Sequence, residues 1–171
     1  MSQLVETARQ QLRGAVLAAI EGAIAAGELP KAPVPEFALE VPGDRAHGDW
    51  AGNAAMAGAR AFHAAPRKIA EALTAHLNLE GTFFTKCEIA GPGFLNFTYD
   101  PAFYGRVLMD IESLGDGYGR SDVGKGKRVL VEYVSANPTG PMHIGNARGG
   151  VLGDALSAVL EAAGYQVERE F

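Results

Sequence analysis

Residues 128–134 (RVLVEYV) and the loop that follows, 135–146 (SANPTGPMHIGN), decide how the second half of this chain folds. The first string is a mostly apolar, β-branched run of the kind found in buried parallel strands. After the loop comes a helical segment, 146–163, and then a second strand-like run, 166–171. Strand, glycine-containing loop, helix and strand in this order predict one right-handed βαβ unit.

A single βαβ unit cannot build a doubly wound sheet, which needs several parallel strands. We therefore expect the domain that starts at residue 128 to be incomplete here, and the chain to be the N-terminal piece of a longer protein. The polar, glycine-rich stretch 115–127 has the composition of a linker. The expected organisation is a first domain over 1–114, a linker over 115–127 and the incomplete domain over 128–171.

The first domain mixes helical and strand-like patterns, which predicts an α+β fold. Apolar residues recur every four positions from Leu4 to Ile24, as on one face of a long helix. Asp49 has the character of a helix cap before another helical segment. The full set of predicted elements is helices over 3–26, 49–63, 66–77 and 101–114, with strands over 37–41, 82–90 and 94–99.

Composition and charge exclude several classes of protein. Of the residues, 47% are hydrophobic and 20% charged, which is typical of a globular chain. No run is long enough to cross a membrane and the first residues lack a secretory pattern, so we expect a cytoplasmic protein. The single cysteine, Cys87, rules out an internal disulfide framework, and the histidines lack metal-ligand spacing, so no metal site is expected. The net charge of −5 argues against binding nucleic acid by charge alone.

The loop 135–146 lies between the carboxyl end of a strand and the amino end of a helix, where open α/β sheets bind ligands. Gly140 and Gly145 allow backbone to approach a ligand closely. His143 and Asn146 are three residues apart, so on a first helical turn they would share a face and offer donors to a phosphate. The alternative for His143 is a histidine that only caps the helix. The loop is neither a Walker loop nor the usual dinucleotide glycine pattern.

The string HIGN at 143–146 resembles the HIGH signature of class I aminoacyl-tRNA synthetases. The longer string VEYVSANPTGPMHIGNARGGVLGD, residues 131–154, narrows the resemblance to the arginyl-tRNA synthetases. Two earlier strings, GDWAGNAAM at 48–56 and AGPGFLNF at 90–97, resemble the additional N-terminal domain of that family. One departure is Asn146, where the family commonly has a second histidine; asparagine keeps a donor but cannot become cationic, so its hydrogen bond to phosphate is weaker.

The resemblance implies a Rossmann-type catalytic domain that activates arginine with ATP and transfers it to its tRNA. His143 and Asn146 would be the catalytic residues that hold the ATP phosphates, with Pro141 and Gly145 completing the ATP site. The HIGH-region motif as a whole would consist of Ala136, Asn137, Pro138, Thr139, Gly140, Pro141, Met142, His143, Ile144, Gly145 and Asn146.

The resemblance also implies an arginine site and a tRNA contact. Glu132 would accept the guanidinium of arginine, Asn137 would hold its α-amino group, and Ser135 would touch the same ligand. Phe94 and Asn96 alternate on a strand, so they lie on one face and would contact the tRNA D-loop. Without the resemblance, a core phenylalanine beside an exposed asparagine would explain this pair equally well.

The partners implied are tRNA-Arg, L-arginine and ATP with Mg²⁺, without a tightly bound cofactor or a membrane. We expect the full-length enzyme to be monomeric and the present chain to be inactive alone. The unpaired edge of its parallel strand would leave this chain open to self-association. Two alternatives stay open from the sequence: another HIGH-type nucleotidyltransferase, and a non-enzymatic RNA-binding module built on the first domain.

Overall fold

A computed structural model describes residues 3–137 and 140–170 of the chain. Its contacts divide the chain into a first unit, Gln3–Ser113, and a second unit that begins at Leu114. The first unit combines helices with a four-stranded antiparallel sheet, and the second combines a helix with two parallel strands. The prediction of an α+β unit followed by a βαβ unit is confirmed at this level.

The sheet of the first unit has the strand order β1-β2-β4-β3, with every neighbouring pair antiparallel. A short 3₁₀ turn at Arg45–His47 precedes the second strand. The elements of this unit are α1 Gln3–Ala25, β1 Leu39–Glu40, β2 Trp50–Gly52, α2 Ala54–Gly58, α3 Pro66–His76, β3 Phe84–Ala90, β4 Phe94–Tyr99 and α4 Ala102–Leu114.

Helix α1 confirms the helix predicted from the four-residue apolar repeat. Its positions Leu12, Val16 and Ile20 are fully buried, because the repeat places them on the one face that meets the core. The helix ends before Gly27, whose φ of +76° suits glycine and closes the last turn. The apolar spacing thus determines both the helix and the face it buries.

Aromatic residues of β4 and its neighbours form the centre of the core. Phe97 is fully buried, and Trp50 lies opposite it in the register of β2 and β4. The Trp50 indole Nε1–H donates to the Tyr99 hydroxyl at 2.7 Å. The Tyr99 ring stacks on Phe103 of α4 with ring centroids 4.0 Å apart. These contacts connect the sheet to the helix that follows it.

The helix predicted over 49–63, with Asp49 as its cap, is present only as α2, Ala54–Gly58, and its predicted start is wrong. Residues 50–52 form β2, and α2 begins only at Ala54. The Asp49 carboxylate caps no helix; it accepts hydrogen bonds from the Tyr99 N–H and the Tyr104 hydroxyl, both at 2.8 Å. Its partners are about fifty residues away in sequence, so local pattern could not reveal them. The strand predicted over 37–41 is likewise shorter, because only Leu39 and Glu40 pair with β2.

The second unit contains β5 Arg128–Glu132, α5 Ile144–Ala162 and β6 Gln166–Glu170. The two strands are parallel and in register from one end to the other. Within the described residues β6 is the only neighbour of β5, and Val131 is the only buried side chain on β5. Leu130 stays 58% exposed. The strand is therefore parallel, as predicted, but not buried within this chain.

Residues 115–127, which have the composition of a linker, bind the end of α5 in the structure. The backbone N–H groups of Ser121, Gly124 and Gly126 donate to the carbonyl oxygens at 162–164 at 2.7–2.9 Å. These bonds satisfy carbonyl groups that the end of a helix leaves without partners. The stretch therefore lies within the second unit as part of its structure.

Candidate functional site

The predicted ligand loop lies where the sequence pattern placed it, between the end of β5 and the start of α5. Glu132 is the last residue of β5, and Ser135 and Asn137 follow it with exposed side chains. Pro141 is also exposed and immediately precedes the helix region. Pro138 and Thr139 of the predicted motif lie outside the described residues. The residues assigned to arginine and to ATP therefore lie at the end of β5, in the loop that follows it and at the start of α5.

His143 is the N-cap of α5, not a residue of its first turn as predicted. Its Nδ1 accepts the Gly145 backbone N–H at 3.1 Å, and the Asn146 Oδ1 accepts the His143 backbone N–H at 3.1 Å. This reciprocal arrangement is a capping box with histidine in the place usually taken by serine or threonine. The end of the ligand loop therefore also caps α5.

The cap fixes which polar atoms of the motif remain available. Since Nδ1 of His143 accepts a hydrogen bond, a neutral ring carries its proton on Nε2. Asn146 uses its Oδ1 in the cap, which leaves its Nδ2 as a donor. The helix start adds its own positive dipole end. Two side-chain donors at a helix N-terminus suit an anionic ligand such as a phosphate.

The turn after β5 is strained. Val134 has a φ of +63°, a left-handed conformation that is rare for a β-branched residue. The neighbouring Tyr133 is fixed by its N–H, which donates to the Glu170 carbonyl at 2.9 Å. The turn sends the chain from the strand into the loop that carries Ser135 and Asn137.

Two glycines of α5 allow this turn to pack against the helix. A Cβ on Gly153 would lie 2.2 Å from the Cγ of Tyr133, and a Cβ on Gly150 would lie 3.0 Å from the Cγ2 of Val134. Both glycines lie on one face because they are three residues apart. Because neither glycine has a side chain, Tyr133 and Val134 after β5 can pack closely against α5.

We expect Gly153→Ala to destabilise the second unit by about 1–3 kcal/mol, because the new methyl group must displace the Tyr133 ring. The measurement is hydrogen exchange of the α5 amides in the 171-residue chain. Gly149→Ala on the same helix is the matched control, since a Cβ there meets nothing within 4 Å. That control should be neutral or stabilising. Equal exchange in the two variants would contradict the packing described.

Glu132 has a neighbour that the sequence did not single out. Glu170 lies opposite it in the parallel register, so two carboxylates occupy adjacent strand ends. The carboxyl ends of parallel strands form one edge of the sheet, and this edge is acidic here. Such an edge suits a cationic ligand. The only signal in the sequence was the position of Glu170 at the end of the next strand.

Arg169 ties β6 to α5 next to this edge. Its guanidinium forms two hydrogen bonds to the Glu161 carboxylate, at 2.6 and 3.1 Å, and lies 3.8 Å from Asp154. The hydrogen bond from Arg169 lowers the pKa of Glu161. The ion pair of Arg169 and Glu161 thus connects β6 to α5.

Phe94 and Asn96 line a cleft of about 440 Å³ on the sheet face of the first unit. Phe94 is 39% exposed, whereas Asn96 is only 9% exposed. The Asn96 side chain forms no hydrogen bond to another residue of 3–137 or 140–170, and it lines the open cleft. The cleft combines an accessible aromatic ring with an amide that has unused donors and acceptors, the groups that bind an unstacked base.

The sequence did not identify the other polar residues of this cleft. His47, Asn53 and Glu40 also line it. Asn53 supports the wall, since its Oδ1 accepts the Ala38 N–H at 2.8 Å. For His47 and Asn53 the one signal is their place beside or within the string at 48–56, and Glu40 has no such signal. Spacing alone does not show that this string faces the string at 90–97.

The described residues were also compared with the requirements of a metal site and of a membrane-spanning helix. Among the residues it describes, no three His, Cys, Asp or Glu side chains lie close enough together to hold a metal ion. No described helix combines the length and the apolar character needed to span a bilayer.

A family model described as the arginyl tRNA synthetase N-terminal domain matches residues 10–99, which is more than half of the chain. The chain belongs to the arginyl-tRNA synthetase family. A second model, the catalytic domain of class I (R) tRNA synthetases, matches residues 112–170. The family resemblance read from the three sequence strings is confirmed.

Individual proteins similar to this chain belong to the same family. Arginine–tRNA ligase from Ruminiclostridium cellulolyticum is 45% identical over all 171 residues, and that from Caldanaerobacter subterraneus is 47% identical over the same length. The chain spans 30% of the length of each relative. The crystal structure of arginyl-tRNA synthetase from Plasmodium falciparum shares the fold, with a TM-score of 0.62, 16% identity, and coverage of 93% of this chain and 29% of that one.

Proposed function

We propose that this chain supplies the tRNA-contacting domain and the start of the Rossmann-type catalytic domain of an arginine–tRNA ligase. We place the first domain at 1–114 and the start of the catalytic domain at 128–171, with 115–127 as a connecting stretch that is hydrogen-bonded to the end of α5. The enzyme forms arginyl-adenylate from arginine and ATP and then transfers the arginyl group to tRNA-Arg. A protein that joins this sequence to the remaining length of its relatives is here called the complete enzyme.

The observation that carries this proposal is the identity of 45% over the whole chain with a curated arginine–tRNA ligase. The likeness includes both units and the loop between β5 and α5, where the reacting groups would bind. It leaves no support for another HIGH-type nucleotidyltransferase, since both matching family models belong to tRNA synthetases.

His143 and Asn146 are assigned to the phosphates of ATP. The Nε2–H of the first and the Nδ2–H of the second are the donors that the capping box leaves available. Fixed donors aimed at an α-phosphate stabilise the charge that grows there during adenylate formation. Gly145 and Pro141 line the same site, with the adenine over Gly145, and Mg²⁺ enters with ATP as part of the substrate.

Glu132, Asn137 and Ser135 are assigned to arginine. A carboxylate accepts two parallel hydrogen bonds from a planar guanidinium, which makes Glu132 suited to this side chain. Its place beside Glu170, at an acidic strand edge, favours a cation over a neutral amino acid. The amide of Asn137 would bind the α-amino group, and the Ser135 hydroxyl would touch the same ligand.

Phe94 and Asn96 are assigned to an unstacked base of the tRNA D-loop. The partly exposed ring offers a stacking surface, and the amide that lines the cleft offers hydrogen bonds to the edge of the base. Because the chain carries a net charge of −5, recognition by stacking and shape suits it better than a basic surface would.

We further propose that the complete enzyme works in the cytoplasm as a monomer without a tightly bound cofactor. The present chain would self-associate through β5, whose Leu130 is 58% exposed and whose free edge pairs with no strand among the described residues. Sedimentation over a concentration series tests this, and a single monomeric species throughout would contradict it.

The function is tested by arginine-dependent exchange of pyrophosphate into ATP. The complete enzyme is expected to catalyse this exchange with tRNA-Arg present, and the 171-residue chain is expected to catalyse none. Lysine, a cation without a planar guanidinium, is the matched control amino acid and should not support exchange. Exchange that prefers another amino acid would contradict the assignment, and exchange by the 171-residue chain would contradict the view that its catalytic domain is incomplete.

A further inference from the structure

A second cleft of the first unit adjoins the cleft of Phe94 and Asn96. The turn at 41–43 lines both. The second cleft has a volume of about 850 Å³, and Arg45, Asp49 and Tyr104 are among its lining residues. Nothing in the function proposed above uses it.

The ring of Tyr104 is held in place inside this cleft. Its hydroxyl donates to the Asp49 Oδ1 at 2.8 Å. Tyr99 and Phe103 meet the ring at steep angles of 80° and 74°, with centroids 6.1 and 6.0 Å away. Tyr104 nevertheless remains 53% exposed. The ring is thus fixed before any ligand arrives, which lowers the entropy lost when a planar group stacks on it.

One cation, Arg45, and two carboxylates, Asp49 and Glu88, line this cleft. The two carboxylates of the cleft are engaged: Asp49 accepts from Tyr104 and Tyr99, and Glu88 pairs with Lys86 at 2.8 Å. Arg45 forms no ion pair within residues 3–137 and 140–170. The hydrogen bond to Asp49 and partial burial raise the pKa of Tyr104, so its hydroxyl stays neutral at physiological pH. An uncommitted guanidinium therefore lies in the same cleft as a neutral aromatic ring.

We propose that this cleft binds the nucleotide next to the one held by Phe94 and Asn96, with its base stacked on Tyr104 and its phosphate paired with Arg45. The proposal rests on the proposed tRNA contact, and it extends that contact from one nucleotide to two. An aromatic platform and a nearby cation are the usual means of holding an unpaired nucleotide. The shared turn at 41–43 would separate the two bases.

The test measures binding of a tRNA-Arg transcript to the 171-residue chain, followed by the fluorescence of Trp50. This residue is the only tryptophan, and it lines the cleft while its indole donates to Tyr99. Tyr104→Leu removes the stacking surface and should weaken binding about five- to a hundredfold. Tyr104→Phe keeps the stacking ring but loses the hydrogen bond to Asp49, so it should weaken binding less than Tyr104→Leu does. Leu108→Ala, an exposed position on α4 outside both clefts, is the matched control and should change nothing.

Two further measurements separate this proposal from the first cleft. The effects of Phe94→Ala and Tyr104→Leu should add in the double variant, because independent bases contribute independently. Arg45→Gln should reduce the slope of log affinity against log salt by about 0.7–0.9, the value for one phosphate contact.

If Phe94→Ala weakens binding while Tyr104→Leu stays within twofold, the second subsite is wrong and the tRNA contact stands. If the unaltered chain does not bind the transcript, both proposals are wrong. If Tyr104→Leu does not fold by circular dichroism, the salt slope of Arg45→Gln decides, and an unchanged slope overturns the proposal.

Discussion

Replacing His143 with alanine in the complete enzyme is expected to slow adenylate formation about a hundred- to a thousandfold, because one fixed donor to the developing phosphate charge is lost. The affinity for ATP in the ground state should change far less, since the donor acts mainly on charge that appears during the reaction. Single-turnover formation of the adenylate and equilibrium binding of ATP give the two quantities separately.

The capping box supplies the control that this experiment needs. His143 also accepts the Gly145 N–H, so alanine removes a helix cap in addition to the Nε2 donor. Loss of a cap costs about 0.5–2 kcal/mol of stability. Asparagine is a good cap but carries no group at the position of Nε2. His143→Asn should therefore keep α5 stable and still react slowly, and a normal rate in that variant would remove His143 from the mechanism.

Replacing Glu132 with glutamine in the complete enzyme should weaken arginine binding by roughly 2–4 kcal/mol once the bound ligand shields the pair from water. The substitution keeps the size of the side chain but removes the charge and one of the acceptors for the guanidinium. ATP binding should stay nearly unchanged, because no contact to ATP is assigned to Glu132. Isothermal titration of arginine and of ATP measures both.

Glu170→Gln is the matched variant, because Glu170 lies opposite Glu132 in the register of β5 and β6. It removes the same charge from the neighbouring strand end. If arginine is held by a specific carboxylate, this variant should lose no more than about 1 kcal/mol, as for a solvated charge. Equal losses in the two variants would show that the acidic edge attracts arginine as a whole. Arginine affinity within about threefold of normal in Glu132→Gln would show that the assignment is wrong.

Periodicity determined most of the helices and the longer strands of this chain. The apolar repeat of α1 has one face to bury, and Pro66 fits only the first turn of α3, so both helices follow from local chemistry. The run from Phe94 to Tyr99 gave β4 without error. The sequence motif likewise located the candidate site, because a loop between a parallel strand and the following helix has one place in the fold.

Short elements, and the structural contacts of polar residues, could not be predicted from the sequence. Three residues of β2 carry too little pattern to outweigh a helix signal, so Asp49 was interpreted as a cap. The reciprocal hydrogen bonds that His143 and Asn146 make at the start of α5 depend on backbone angles that spacing does not show. The linker-like stretch 115–127 binds the end of α5 through backbone N–H groups. Because every residue type except proline has this group, the side-chain pattern does not predict the contact.

The sequence by itself determined the family, the main helices and strands, and the loop where the chemistry would occur, because these depend on neighbours within a few residues or on an extended motif. Only the tertiary structure joined Asp49 to Tyr99 and Tyr104, Glu132 to Glu170, and Gly153 to Tyr133. Each of these contacts links residues from about twenty to more than fifty positions apart. Strand register and close packing bring such residues together, and neither leaves a local trace in the chain.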